Sequence, residues 1–258
     1  MKELVFRFET NLNFSQPVTE HAFLLRCVPM QRPEQECISF MLDISPHSGS
    51  LSCGRDGFGN STYSGYLAEA HSFFSYTVTG RVRRDDRHRL QAEPQPFYRY
   101  PSALTQPNAE LEEFLSGVEL TGDGLARARQ LAKAVHGHFR YEPGTTDVHT
   151  SAGTAFQQGH GVCQDYTHVF LTLARLCGLP ARYVSGLPLG DGASHAWAEV
   201  WHEGLWYGLD ATRDCEADEG YIKLCVGRDF ADCPLERGLF FGMAEQEQSS
   251  YMQVSELK

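Results

Sequence analysis

Gly161-Val162-Cys163-Gln164-Asp165-Tyr166, Ser194-His195-Ala196-Trp197 and Gly208-Leu209-Asp210 bring a thiol, an imidazole and a carboxylate into one chain in that order. These residue types suit nucleophilic attack on an acyl carbon. The thiolate is the nucleophile, and a free cysteine with a pKa of about 8.5 is mostly protonated at neutral pH. A helix N-terminus and a neighbouring imidazolium both favour the anionic sulfur. A carboxylate bonded to the imidazole fixes its tautomer and stabilises its positive charge. Cys163, His195 and Asp210 are therefore the candidate catalytic residues, as nucleophile, base and orienter. Each has a plainer reading by itself: a packing cysteine, a structural histidine, a strand-end aspartate. Their joint occurrence, in order and on suitable elements, favours the catalytic one.

Three elements must position these groups. From Cys163 onward, Val169, Phe170, Leu173, Ala174 and Leu176 predict a helix. It stops at Cys177-Gly178, with Pro180 beyond. Gly161 lets the backbone approach closely, and the first amides of that helix could receive a tetrahedral oxyanion. Asp165, in the first turn, reads as a helix-stabilising carboxylate with no catalytic role. Strands are predicted over 182–187, 195–201 and 205–210. Alternation puts His195, Trp197, Glu199 and Trp201 on one face. A two-residue turn at Glu203-Gly204 pairs His202 with Leu205 and Trp197 with Asp210, so that His195 and Asp210 share a face on the diagonal. A three-residue loop would send them to opposite faces. The tryptophans Trp197, Trp201 and Trp206 read as packing residues. Gln157, six residues before Cys163, reads equally as an oxyanion donor or as a helix-surface glutamine, and His149 has no partner visible in the sequence.

The first ninety residues alternate with period two, at Leu4, Phe6 and Phe8, at Ile38, Phe40 and Leu42, and at Phe74, Tyr76 and Val78. Turn-rich pieces such as Ser45-Pro46-His47-Ser48-Gly49 separate them, which predicts an antiparallel β-rich unit. The prolines from Glu93 to Pro107 suggest a linker. Beyond it Asn108 is a helix N-cap, and Leu125, Ala128, Leu131, Ala132, Val135 and Phe139 fall on one helical face. A short helix is expected after Thr150. Helices followed by strands make this an α+β fold, divided into a β-rich N-terminal domain (1–105) and a catalytic domain (106–258).

With 22 basic and 33 acidic residues in 258, the net charge of −11 argues against a nucleic-acid partner. The basic run from Arg81 to Arg89 is interrupted by Asp85 and Asp86 and reads as a solvated strand edge. Charges within Met1–Glu9 argue against an export signal, and no apolar run reaches the length of a membrane span, so a cytoplasmic protein is expected. None of the eight cysteines forms a CxxC pair or a zinc-like cluster. Reduced thiols are the default in that compartment. No metal or other cofactor is implied.

Several linked motifs carry a family resemblance. Gly161-Val162-Cys163-Gln164-Asp165-Tyr166, the run Gly178-Leu179-Pro180-Ala181-Arg182-Tyr183-Val184-Ser185-Gly186, and Ser194-His195-Ala196-Trp197-Ala198-Glu199-Val200 resemble the core motifs of the bacterial transglutaminase-like superfamily. Gly227-Arg228-Asp229-Phe230-Ala231-Asp232, with Pro234 and Arg237-Gly238, resembles a tail motif of its bacterial members. The match covers about residues 141–242, and the β-rich first third is placed as their N-terminal domain is. The resemblance implies a papain-like catalytic core with a Cys-His-Asp triad at Cys163, His195 and Asp210. It implies cysteine protease-like amide chemistry on a protein or peptide substrate, with hydrolysis as the lead and deamidation or acyl transfer to an amine as the alternative. A catalytically silent peptide-binding module is the rival class; such members usually lose a triad residue, and here all three are present. No acidic loop resembles a calcium site for calcium-dependent cross-linking. Oligomeric state and the role of the N-terminal domain stay open. One position departs from the pattern: the family aspartate is usually followed by proline, whereas Ala211-Thr212 follow Asp210, which loosens that strand end.

Overall fold

The structure, a computed structural model, describes residues 1–47, 49–89 and 93–257. Ser48, inside the turn expected after Ser45, lies outside them. The alternating N-terminus forms one long strand, β1 (Lys2–Leu25), followed by β2 (Gln35–Ser45), β3 (Ser52–Arg55), β4 (Ser61–Leu67) and β5 (His71–Arg84). Helices α1 (Ala109–Gly117) and α2 (Gly124–His138) come next. Then β6 (Arg140–Tyr141), α3 (Ala152–Gln158), β7 (His160–Gly161) and α4 (Cys163–Leu176) lead into the second half. The strands β8 (Ala181–Pro188), β9 (Gly190–Gly192), β10 (His195–His202), β11 (Leu205–Asp210), β12 (Cys215–Glu216) and β13 (Tyr221–Gly227) follow. The described chain closes with β14 (Glu236–Phe241) and β15 (Gln246–Glu256).

The N-terminal sheet is organised around β1, which pairs antiparallel with β5 on one side and with β15 on the other. Its register slips between Asn13 and Val18, and beyond that irregularity the strand pairs with β4 and β14 instead. Such a slip bends a strand, letting β1 serve two branches of one sheet. Residues 236–256, which a division at 105/106 assigns to the second unit, thus complete the first sheet. Phe40, expected on an inward face, is 43% exposed, because β2 pairs only with β5 and forms an edge with a bulge between Cys37 and Ser39.

The second sheet has the order β12-β11-β10-β8-β13. Tyr183, Ala196, Ala198, Val200 and Leu209 pack with Val169, Phe170 and Leu173 of α4. Leu187, Ile222 and Leu224 instead join Phe6, Phe8, Leu12, Phe74 and Val78 of the N-terminal sheet in one core. The two units therefore bury apolar surface against each other, at roughly 25 cal/mol per Å² removed from water.

Two further contacts join the halves. The proline-rich stretch read as a linker is docked: Tyr98 is buried edge-on against Trp206, with ring centroids 5.5 Å apart, and fully buried Thr105 accepts a 2.7 Å bond from Arg175 Nη1. Its aromatic pair and its hydroxyl give it more to bury than proline content suggests. Below β10, the buried carboxylate of Glu199 accepts from Arg182 Nε at 2.7 Å and pairs with Lys223 Nζ at 2.5 Å, while the same ammonium lies 2.8 Å from Glu34. A buried charge persists only when paired in this way. The desolvation that would raise the Glu199 carboxyl is outweighed by the two cations, which hold it well below the usual range. The basic residues Arg81, Arg83, Arg84, Arg87 and Arg89 are paired with Glu3, Glu36, Asp86, Asp85 and Asp86 respectively.

Candidate active site

Cys163 is the first residue of α4, half-buried, and its amide and that of Gln164 precede the helical hydrogen-bond ladder. The entry into this helix is held from behind. Strands β6 and β7 pair in parallel, Arg140 with His160 and Tyr141 with Gly161, and Glu142 N donates to Gly161 O at 2.9 Å. Asp165 folds its carboxylate back, where Oδ2 accepts from Val162 N and from Thr146 Oγ1, each at 2.7 Å. A Cβ at position 161 would collide with that carboxylate, so glycine is the residue that fits. Asp165 is therefore a capping group for the helix that Cys163 opens, as its position implied. Burial, the largest influence on it, raises its carboxyl above the ordinary range against these hydrogen bonds.

His195 begins β10 opposite Gly186 of β8. The hairpin closes at Glu203-Gly204, both with positive φ (46° and 86°), and pairs His202 with Leu205 and Ala198 with Leu209. That is the two-residue geometry whose twist suits a hairpin, and it settles the register on which the His–Asp diagonal depends. His195 Nε2–H donates to Asp210 Oδ2 at 2.7 Å, and the Cys163 thiol acts on the same ring. Burial, the strongest single influence, disfavours charge on the imidazole; the bonds and charges of Asp210 and Cys163 together prevail and raise it to about 9. The Asp210 carboxyl, which burial alone would raise, is lowered by His195 and by the bonds it accepts.

The absence of proline after Asp210 does not leave its side chain loose. Oδ1 accepts from Thr212 N at 3.0 Å and Arg213 N at 3.2 Å, an Asx-type turn that does the work of a stiff residue. Oδ2, shared with His195, also accepts from the Tyr221 hydroxyl at 2.9 Å. No sequence motif contains Tyr221; only its position at the start of β13, opposite Pro188 of β8, brings it to the site. Trp197 packs edge-on against Tyr221, with ring centroids 5.2 Å apart. A side chain at Gly186 would strike the Trp197 ring and the Ile222 carbonyl. Trp197 and Trp206 are buried, in keeping with their reading as packing residues.

Other candidates fall away from this constellation. Gln157 Nε2 donates to Glu110 Oε1 at 2.8 Å on the exposed side of α3, the surface alternative for that residue. His149 is exposed, in a turn where its amide donates to Asp147 Oδ1. The tail motif buttresses α4: Arg175 Nη2 donates to Arg228 O at 2.6 Å, Phe230 N donates to buried His168 Nε2 at 3.2 Å, and Arg228 pairs with Asp232. Among the described residues no cluster of three or more His, Cys, Asp or Glu could hold a metal ion, and no helix is long and apolar enough to cross a membrane.

A thiol at a helix N-terminus, acting on a histidine that is itself held by a buried aspartate, on a sheet backed by helices, is the arrangement that the resemblance to the transglutaminase-like superfamily implies. This chain belongs to that superfamily: residues 114–211 match the transglutaminase-like superfamily core, and residues 4–83 match the bacterial transglutaminase-like N-terminal region. An uncharacterised Mycobacterium leprae protein is 35% identical over 174 residues, spanning 61% of this chain and 60% of its own length. An uncharacterised Mycobacterium bovis protein is 28% identical over 278 residues, covering 92% of this chain and 87% of its own. Among solved structures, a Cytophaga hutchinsonii protein proposed to be a cysteine protease superposes with a TM-score of 0.82 at 21% identity. It covers 100% of this chain and 92% of its own, and it shows the shared fold.

Proposed function

We propose that this protein is a cysteine-dependent amide hydrolase acting on protein or peptide substrates through a thioester. The observation that carries this reading is Cys163 at the N-terminus of α4, acting on the ring of a His195 that is bonded to Asp210 at 2.7 Å, with the aspartate fully buried. Cys163 Sγ attacks the carboxamide carbon, and the oxyanion forms beside the Cys163 and Gln164 amides. His195, an imidazolium at neutral pH, protonates the departing amine; as a neutral base it then takes a proton from water, which releases the acid and regenerates the thiol. The similarity to a Cytophaga hutchinsonii protein proposed to be a cysteine protease agrees with this assignment. Eight unpaired cysteines suit a reducing compartment, and we place the protein in the cytoplasm on that ground. We also propose that the β-rich N-terminal unit and the catalytic unit divide near residue 105, with residues 236–256 returning to the β-rich sheet.

The test is covalent. Wild-type protein, His195→Ala and Cys163→Ala are treated with a peptidyl acyl-type thiol probe, and the adduct is located by peptide mass mapping. A stoichiometric adduct at Cys163 that forms slowly in His195→Ala and not in Cys163→Ala supports the reading. Equal labelling of Cys163 in wild type and His195→Ala, together with undiminished amide turnover by Cys163→Ala, would overturn it.

A further inference from the structure

The turn between β11 and β12, residues 211–214, carries Arg213 over the Asp210 end of the site. Its amide donates to Asp210 Oδ1, and its guanidinium lies close by. Nε is 3.9 Å from Asp210 Oδ2, Nη1 is 3.5 Å from the Tyr221 hydroxyl, and the group lies 5.9 Å from the centre of the Tyr221 ring. The His195 ring is 6.5 Å from the same tyrosine. This cation is on the solvent side of the pair: the Arg213 side chain is 46% exposed, whereas that of His195 is 9% exposed and that of Asp210 fully buried. Asp210 does not consume it. Oδ1 is filled by the Thr212 and Arg213 amides, and Oδ2 by His195 and Tyr221. At 3.9 Å the guanidinium makes no hydrogen bond to the carboxylate, and a brace for Asp210 would sit within bonding distance, as Tyr221 does. Of its five N–H donors, one at Nη1 has a partner among the described residues, and that contact is long. Tyr141 stands nearby on another element. It pairs with Gly161, two residues before Cys163, is 54% exposed, and is close enough to Cys163 and to Arg213 to feel the charge of each.

We propose that Arg213 is a specificity-determining residue that selects acyl donors with a carboxylate beside the scissile amide, Tyr141 adding a hydroxyl donor to the same group. A guanidinium with free donors can grip a carboxylate through two parallel N–H···O bonds, a geometry that no other side chain offers. In a chain of net charge −11, Arg213 is a local cation at the one place an anionic substrate must reach. The proposal deepens the amide-hydrolase reading, on which it rests, by naming the substrate class. The carboxylate is that of an acidic side chain or of a peptide's free end; both present the same two oxygens.

Binding is measured in the Cys163→Ala protein, where no thiol chemistry enters. The probes are N-acetylglutamine amide, N-acetylglutamate α-amide and N-acetylglutamine with a free α-carboxylate, which share one shape and differ in where a charge lies. Ligand-observed NMR titration should give a carboxylate probe an advantage of about tenfold over the neutral amide. That advantage should vanish in Arg213→Gln and survive in part in Arg213→Lys. Which carboxylate probe binds better tells a side chain from a chain end. A second readout keeps the thiol: the ratio of Cys163 alkylation rates by iodoacetate and iodoacetamide, located by peptide mass mapping. The ratio should fall about three- to tenfold in Arg213→Gln and further in Arg213→Glu. A residue that only braced Asp210 would change both rates together and leave the ratio as it was. Equal binding of the three probes, a carboxylate preference that persists in Arg213→Gln, or an unchanged ratio overturns the proposal. A ratio that depends on Arg213, at a Cys163 no more reactive than an ordinary thiol, would support the carboxylate site and count against the hydrolase.

Discussion

Asp210 lies across the β10–β11 hairpin from His195 on the diagonal, its Oδ2 2.7 Å from Nε2, with the carboxylate fully buried and the imidazole 9% exposed. Three other donors hold the carboxylate, so its direction is set before any substrate arrives. Preorganisation of this kind lets a histidine gain charge during reaction without rearrangement of its surroundings.

Replacement of Asp210 by asparagine keeps the shape and removes the charge. Steady-state kinetics should show kcat falling by about 10²–10⁴-fold, with the thermal unfolding midpoint within a few degrees of wild type. A fall of less than threefold would mean that the aspartate does not orient the base.

Tyr221→Phe removes one of the bonds to Asp210 Oδ2. A hydrogen bond to a charged group is worth about 1.5–3 kcal/mol, and His195 keeps its own bond to the same oxygen. The variant should fold, lose roughly tenfold or less in kcat, and show the alkaline limb of its pH–rate profile displaced upward, because a carboxylate with one donor fewer holds the imidazolium more strongly. An unshifted limb would leave Tyr221 a packing residue.

Activity should fall as pH rises through about 9, where His195 loses its proton. Stability should have a maximum near pH 6.5. His21 and His168 are lowered from 6.5 to about 4, chiefly by burial, so between those values the unfolded chain binds two more protons there. Glu236, raised from 4.5 to about 7, binds one more when folded and offsets one of them. Stability therefore rises with pH up to about 6.5. His195 is raised from 6.5 to about 9, so its contribution is complete below 6.5 and is lost as pH rises to about 9. That loss is on the order of 3 kcal/mol, shared across the triad. Urea unfolding at intervals from pH 5 to 9.5 checks both limbs, and His195→Ala should flatten only the alkaline one.

The buried Glu199 carboxylate separates two cations, Arg182 and Lys223. Glu199→Gln leaves Arg182 without its counter-charge and Lys223 with Glu34 alone, which should cost about 3–5 kcal/mol. Chemical denaturation would register it as a lower midpoint, and an unchanged midpoint would show that the network is replaceable.

The proposed triad was legible in the sequence because its signals are local: a glycine–cysteine helix entry, a histidine that starts a strand, an aspartate that ends one. The hairpin between them was readable because Glu203-Gly204 permits a turn with two positive φ angles. Tyr221 was not readable, since its contact with Asp210 depends on where β13 lies beside β8. Glu199 looked like an ordinary member of an alternating strand, and nothing nearby announced Lys223 or Glu34 as its partners. Tyr98 and Thr105 were hidden by the prolines around them, whose local stiffness says nothing about what the segment packs against. Long-range pairing, such as that of residues 246–256 with β1, has no local signature at all.

That last pairing has a consequence for the chain as an object. Leu4 faces Glu256 in one ladder, and Leu257 N donates to Glu3 O at 2.8 Å. The ends are thus clasped side by side, and the catalytic unit is a loop hung from that clasp. A cut in the docked stretch near Pro101 would leave both pieces gripped through β1 and β15. Modules fused at either end would emerge from the same edge of the molecule. The two units can be exchanged between relatives only if both strands of the clasp move together.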